Sequence, residues 1–249
     1  MTLLANEIHV QDSLQHTVII FAADRRITFL GRFHSLGKKI FPIEYLNAGI
    51  GFFGLAEVFP GGKKQSMSSW LPQFITRNHR IRTLEEFADT LRAELDNVVP
   101  RDLKTSNPSG FHIAGFNQSG LPEFWFVRNI EHMDAHRYID LQDHYSATED
   151  FLARDARQFG FDGHSPTVAR PFTWFYRNGD IRAHVVAWER LDGIIADFLS
   201  LPDFKKLNSL CDYERFIEFK MKMIAAIYKE YSTAATIGTP IDVFSIVPK

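Results

Sequence analysis

Continuous and alternating apolar runs predict strands at the start of the chain. Leu3 to Val10 and Thr17 to Asp24 are predicted as two strands that flank a turn at Asp12-Ser13. Apolar residues occupy both parities of the second run, which is typical of a strand buried on both faces. Two shorter strands are predicted at Ile40 to Ile43 and Ala48 to Phe53, ahead of the breaker in "FPGGKK".

The middle of the chain combines helical periodicity with one clear hairpin. Ser66 to Asn78 carries its large apolar residues on one side, and Thr83 to Val98 begins with the spacing of a capping box. Phe111 to Phe116 and Glu123 to Val127 are predicted to pair around the turn in "NQSG".

The rest of the chain predicts two further strands and three helices. The strands are Tyr138 to Leu141 and one in "TIGTPIDVFSIVPK". The first helix runs from Ser146, with Glu149 in capping-box spacing, to near Gly160. The second runs from Asp180, capped by Asn178, to Phe198, and the third from Tyr213 to Tyr231.

The order of these elements predicts the fold class. The helices occur in two blocks rather than alternating singly with strands, which disfavours a doubly wound parallel sheet and favours α+β. Two sheets packed face to face, with one helical block on each outer side, would bury both faces of the apolar strands. We therefore predict an α+β fold, specifically a four-layer αββα sandwich.

Composition excludes several partners and cofactors. The 249 residues include 28 basic and 30 acidic side chains, and this net charge of -2 disfavours nucleic acid and anionic membranes as partners. No uncharged apolar run reaches membrane-spanning length. The single Cys211 excludes an internal disulfide and a cysteine-based zinc site, and it fits a cytoplasmic location.

Several ordered segments carry a family resemblance. The stretches "FAADRRIT", "GKKIFPI", "GIGFFGLAE", "FHIAGFNQSGLPEFWFV" and "AATIGTPIDVFSI" occur in the order found in the proteasome β-type family, which includes bacterial proteasome-like proteins. The chain thus resembles these N-terminal nucleophile (Ntn) hydrolases over most of its length. The resemblance implies a single domain spanning residues 1–249, with an atypical helical insertion near residues 166–213. It also implies a ring-like homo-oligomer that acts on peptide or amide substrates, without predicting a partner ATPase.

The resemblance also implies a catalytic set. Carried over residue by residue, it consists of Thr2, Asp24 with Arg26, Lys39, and Gly54 with Ala56-Glu57. After removal of Met1, the α-amino group of Thr2 would serve as the base for its own hydroxyl. Lys39 would lower the proton affinity of the Thr2 hydroxyl, and Asp24 would hold Lys39 in place. The Gly54 N–H would bind the oxyanion. Thr17 is a poor candidate nucleophile, because it is too close to Asp24 in the chain for two strands to fit between them.

A catalytically inactive, proteasome-like subunit or scaffold is the alternative function. The family steadies its threonine with a second layer of serines and an aspartate. Here the matching stretches read "YSATEDF" and "TAATIGTP". Ser146 lies earlier than the expected first serine, Ile237 occupies the position of the second serine, and Ala234 occupies that of the aspartate.

Two further motifs are weighed and set aside. Gly49, Gly51 and Gly54 match the dinucleotide fingerprint G-x-G-x-x-G, but "LAEVFPGG" breaks before a helix long enough to hold a pyrophosphate. His132 and His136 stand four residues apart, but they fall in a connector rather than on a helix. We therefore predict neither a cofactor nor a metal.

Overall fold

The computed structural model describes residues 2–29, 32–133, 137–152 and 171–249. Met1, His136, Gly160 and residues 166–170, which enter the predictions above, lie outside the described residues. The described chain mixes helices with antiparallel strands, as the predicted α+β class requires.

Thirteen strands can be defined in the described part of the chain, and nine of them build two large sheets. The first sheet has the order β12-β1-β2-β13, and the second has the order β11-β10-β9-β6-β5. Every paired strand runs antiparallel to its neighbour. The strands are β1 Leu3–Val10, β2 Thr17–Asp24, β3 Arg26–Phe29, β4 Arg32–Leu36, β5 Ile40–Ile43, β6 Ala48–Phe53, β7 Glu57–Val58, β8 Gln65–Ser66, β9 Gly110–Phe116, β10 Pro122–Met133, β11 Tyr138–Leu152, β12 Phe172–Gly179 and β13 Ile241–Ile246.

The helices form one group before β9 and another after β12. They are α1 Met67–Arg77, α2 Leu84–Val98, α3 Arg101–Ser106, α4 Glu189–Ser200 and α5 Leu210–Tyr231, and a π-helical turn at Ala183–Trp188 leads directly into α4. The hydroxyl of Thr83 accepts the Glu86 N–H at the start of α2, as the capping-box spacing predicts. Ser209 and Asp212 form a full capping box at the start of α5, where the exposed Cys211 lies.

Three apolar clusters hold these elements together. The first joins β5, β6 and β9 to α1 and α2, through residues such as Ile50 and Phe87. The second contains residues of both large sheets, among them Phe21 and Phe124. The third joins the opposite face of β1 and β2 to α5, where Met221 is fully buried. Every residue of β1 and β2 is buried, so the sheet that they share has apolar packing on both faces, as the pattern predicts.

The predicted element bounds agree with the structure in the first half of the chain. The four strands predicted before residue 54 have the predicted ends, and both predicted helices of the first block are present. The helix predicted from Ser146 is wrong: residues 146–152 belong to β11, because the hydrogen bonds of a long ladder with β10 outweigh a local capping signal. The sequence analysis missed β3, β4, the two-residue strands β7 and β8, β12 and the short α3.

Candidate functional site

The start of β1 lies beside the end of β2. Leu4 pairs with Ala23 in the ladder between the two strands, which brings Leu3 next to Asp24. The Leu3 amide N–H donates to Asp24 Oδ1 at 2.8 Å. Because this amide belongs to the peptide between Thr2 and Leu3, the carboxylate of Asp24 is fixed directly beside the buried Thr2.

Lys39 completes a buried ion pair at the same place. It directly precedes β5, and its Nζ donates to Asp24 Oδ1 at 3.0 Å and to the Arg26 carbonyl oxygen at 2.7 Å. The Lys39 and Asp24 side chains are only 2% and 0% exposed. Burial lowers the pKa of Lys39, although the attraction and hydrogen bond of Asp24 act in the opposite direction. The structure thus places the Asp24 carboxylate between the Lys39 ammonium and the peptide that joins Thr2 to Leu3.

Arg26 contributes to this arrangement through its backbone. Its amide N–H donates to Asp24 Oδ2 at 3.2 Å, and its carbonyl oxygen accepts from Lys39. The Arg26 guanidinium lies 4.9 Å from the centre of the Phe33 ring, as in a cation–π contact. The main chain of Arg26 therefore holds both charged groups of the buried pair.

Gly54 follows β6 and adopts a backbone conformation that favours glycine. Its φ is +89°, and a Cβ built at this position would lie 2.1 Å from the Pro108 carbonyl oxygen. The Phe52 amide, two residues earlier, donates to the Lys39 carbonyl oxygen, which ties the end of β6 to the start of β5. Gly54 also lines a cavity of about 360 Å³ together with Thr28. The need for a glycine here is explained by these backbone constraints, and its predicted oxyanion role stays a prediction.

The end of β12 forms a second wall beside Thr2, which the sequence analysis missed. The Asp180 N–H donates to the Thr2 carbonyl oxygen at 2.8 Å, and a Cβ on Gly179 would lie 2.0 Å from the same oxygen. The available signal was the alternation of Phe172, Trp174 and Tyr176, all of which pack against the apolar cluster between the sheets.

A buried polar chain supports this second wall. Tyr138 Oη accepts the Gly179 N–H at 2.7 Å and donates to Asn178 Oδ1 at 3.1 Å. Asn178 Nδ2 in turn contacts His112 Nε2 at 2.9 Å, and His112 Nδ1 contacts Asn6 Oδ1 at 2.7 Å. Burial, with a smaller effect of His184, lowers the pKa of His112 to about 3, so its ring is neutral at pH 7. The chain therefore links the Thr2 end of β1 to the second sheet without a buried charge.

The positions that correspond to the family's second layer of serines and an aspartate are occupied by residues with other contacts. Ser146 lies in β11, and its hydroxyl donates to the Arg128 carbonyl oxygen at 3.3 Å. Ile237 is fully buried in the apolar cluster beneath α5. Asp180 is a buried carboxylate near Thr2, and its side chain pairs with Arg182 at 3.2 Å. An aspartate thus lies near Thr2, but at a different point in the chain from the one that the family pattern indicates.

The two motifs that were set aside have structural roles. Gly49 and Gly51 lie inside β6, where added Cβ atoms would collide with Phe244 and Leu4 respectively, and residues 55–66 contain no α-helix. His132 Nδ1 contacts Asp140 Oδ2 at 3.1 Å on the surface. Within the described ranges we find no group of three or more His, Cys, Asp or Glu residues arranged to hold a metal ion.

No described helix has both the length and the apolar character needed to cross a membrane. A scan of the chain against protein-family models gives no match, and a search of the curated proteins gives no match either.

Proposed function

We propose that this chain is an N-terminal nucleophile hydrolase of the proteasome-like type, with Thr2 as the nucleophile once Met1 has been removed. One observation carries the proposal: a single buried oxygen, Asp24 Oδ1, accepts hydrogen bonds from both Lys39 Nζ and the Leu3 amide. Asp24 therefore holds the Lys39 ammonium on the same oxygen that binds the Thr2–Leu3 peptide, and a positive charge close to a threonine hydroxyl would favour its deprotonation for acyl transfer. The substrates of the proposal are peptide or other amide bonds.

The proposed reaction assigns a role to each residue. The free α-amine of Thr2 takes the hydroxyl proton while Oγ1 attacks the carbonyl carbon of the amide. The positive charge of Lys39 stabilises the developing alkoxide, Asp24 keeps Lys39 in place, and the Gly54 N–H binds the oxyanion. The protonated amine then gives its proton to the departing amine of the substrate. The α-amine then takes a proton from water, which attacks the threonine ester, and returns this proton to Oγ1; the acid is released and the Thr2 hydroxyl is restored.

The proposal includes a fold and an assembly. The apolar clusters between the two sheets, and between each sheet and a group of helices, support a four-layer αββα sandwich in a single domain. Exposed apolar side chains, among them Phe33 and Leu36 on β4 and Ile194 and Phe198 on α4, support a homo-oligomer that covers them. The cytoplasmic setting expected from the single cysteine belongs to the same proposal.

The decisive experiment targets the hydroxyl and the amine of Thr2 together. We expect cells to remove Met1, as an intact mass would report, and a peptide epoxyketone to label Thr2. The Thr2→Ser variant should retain measurable hydrolysis of a fluorogenic peptide amide, and Thr2→Ala should retain none. Retention of Met1 together with absence of labelling in a folded, assembled protein contradicts the proposal.

An inactive scaffold is the second candidate, and the buried Ile237 favours it. An isoleucine that fills an apolar cluster cannot donate the hydrogen bond that a serine supplies to the threonine in the resembled family. Under this alternative the Lys39–Asp24 pair only holds β5 against β2. The alternative predicts that Thr2→Ala changes neither the oligomeric state nor any phenotype of the native protein, whereas variants of the exposed apolar residues change both.

A further inference from the structure

A second constellation lies on the helix-facing side of the first sheet, at the opposite end of β1 from Thr2. Glu7 and His9 are two residues apart in β1, so both side chains project from the same face of the strand as Leu3 and Ala5. The β1–β12 register pairs His9 with Thr173. About seven residues of extended strand, or roughly 23 Å, separate His9 from Thr2.

Hydrogen bonds connect the three side chains in series. Thr173 Oγ1 lies 2.9 Å from His9 Nδ1, and His9 Nε2 lies 3.0 Å from Glu7 Oε2. A carboxylate only accepts hydrogen bonds, and a neutral imidazole has one donor and one acceptor nitrogen. When Nε2–H donates to Glu7, Nδ1 is left to accept the hydroxyl proton of Thr173. The order hydroxyl, imidazole, carboxylate is that of a nucleophile, its general base and the group that orients the base.

Two cations keep the orienting carboxylate ionised. Glu7 Oε1 accepts from Lys220 Nζ at 2.8 Å and from Arg177 Nη2 at 2.9 Å. Burial alone would raise the pKa of Glu7, but the His9 hydrogen bond and the charges of Lys220 and Arg177 together hold it well below its usual range. Asp192 binds both cations and balances their charge.

A cavity gives access to this constellation. It has a volume of about 330 Å³ and is lined by Glu7, His9, Thr173 and apolar residues that include Phe172, Leu199 and Phe216. The volume lies at the lower end of the ~300–1,000 Å³ range of small-molecule sites. The Tyr213 ring lies 4.6 Å from the His9 ring and limits the orientations that the imidazole can adopt. The space therefore suits a small apolar group next to the Thr173 hydroxyl.

We propose that Thr173, His9 and Glu7 form a second acyl-transfer site, which hydrolyses esters of short apolar acids. Thr173 Oγ1 attacks the ester carbonyl carbon as its proton passes to His9 Nδ1, and His9 then gives this proton to the departing alcohol. Water, deprotonated by His9 Nδ1, attacks the acyl-threonine, and His9 returns this proton to Thr173 Oγ1 as the acid is released. This activity uses no residue of the Thr2 site, so it stands or falls independently of the function proposed above.

The test uses the full chain in a Thr2→Ala background, which removes the other nucleophile. We expect hydrolysis of p-nitrophenyl butyrate above the buffer rate, and a faster rate than with the long-chain palmitate ester. Thr173→Val, which keeps the shape of the side chain, should lower the rate at least 100-fold, whereas Thr173→Ser should retain measurable turnover. A fluorophosphonate probe should modify Thr173, as located by peptide mass spectrometry.

A matched control and two contrary outcomes make the test decisive. Thr148→Val changes another strand threonine, whose hydroxyl donates to the Phe126 carbonyl oxygen, and should leave the ester rate unchanged. Circular dichroism on each variant verifies folding, and His9→Gln provides a second way to remove the base. The proposal is overturned if the folded Thr173→Val variant hydrolyses the butyrate ester as fast as the Thr2→Ala protein that it derives from. It is also overturned if the folded Thr2→Ala protein neither hydrolyses the ester nor reacts with the probe.

Discussion

Two buried lysines bind carboxylates of the first sheet, and their surroundings differ. Lys39 has one carboxylate partner, Asp24, and one backbone carbonyl. Lys220 lies between two carboxylates, Glu7 and Asp192, and its Nζ is within 6 Å of the centres of three aromatic rings. At Lys39 burial is the largest influence and lowers the pKa of the ammonium. A buried lysine with few partners is suited to proton chemistry, whereas one with several partners is suited to holding an ionised carboxylate.

Removing the charge of Lys39 should have the largest effect, on activity. If Lys39 activates Thr2, Lys39→Met should lower peptide-amide hydrolysis by about 10²- to 10³-fold, the usual effect of losing one group that stabilises charge developing in the transition state. The measurement is turnover of a fluorogenic peptide amide per mole of folded protein.

Lys104→Met is the matched control for this variant. Lys104 is a buried lysine that pairs with Asp96, at 3.3 Å, rather than with Asp24. The Lys104→Met variant should keep the wild-type activity per folded molecule, although its free energy of unfolding should decrease. Equal losses of activity in the two variants would show that burial of a charge pair, rather than chemistry at Thr2, explains the effect.

Removing the charge of Lys220 should have the next largest effect, on stability. Lys220→Met leaves Glu7 buried with one cation fewer, and a broken buried ion pair typically costs about 3–5 kcal/mol. We expect a decrease of about 3 kcal/mol in the free energy of unfolding, measured by urea denaturation. Adding Glu7→Gln should restore a substantial part, because the unpaired charge is then also gone.

A lysine two residues further along α5 calibrates this measurement. Lys222 pairs with Glu218 on the surface at 2.6 Å, and Lys222→Met should change the free energy of unfolding by no more than about 0.5 kcal/mol. A double variant less stable than Lys220→Met alone would contradict the charge-network interpretation of Lys220.

Lowering the pH should gradually remove the contribution of Glu7 to the free energy of unfolding. Its folded pKa lies below the unfolded value of 4.5, so the unfolded chain binds the proton first as the pH falls. The stability difference between the wild type and Glu7→Gln should be complete above pH 4.5 and should shrink by about 1.4 kcal/mol per pH unit well below it. Urea midpoints from pH 7 to pH 3 measure this difference. A difference that stays constant over this range would mean that the ionisation of Glu7 does not stabilise the fold.

Local sequence patterns were sufficient to predict the elements that are buried evenly along their length. The strands β1 and β2 are buried along their whole length, so their apolar runs predict both type and bounds. Asp24 and Lys39 are only 15 residues apart, and main-chain groups of Arg26 bind both side chains, while the catalytic roles that the resemblance implies for them stay predictions.

Features that depend on distant partners were not predictable in this way. The segment after Ser146 has the spacing of a helix start, but its backbone pairs with β10, with Ser146 opposite Arg128. The Glu7–Lys220 pair joins residues 213 positions apart, and neither side chain has a sequence neighbour that reveals the other. Such contacts are fixed by how the sheet and helices pack, which is information that a local window does not contain.

The exposed Cys211 provides a practical handle on this packing. It is the only cysteine in the chain, so a maleimide dye or spin label can be attached at one site without removing any other thiol. The label would stand on the first turn of α5, nine residues before Lys220 on the same helix. Its mobility would then report whether α5 stays docked on the first sheet when the Glu7–Lys220 contact is weakened, in a single spectrum and without a crystal.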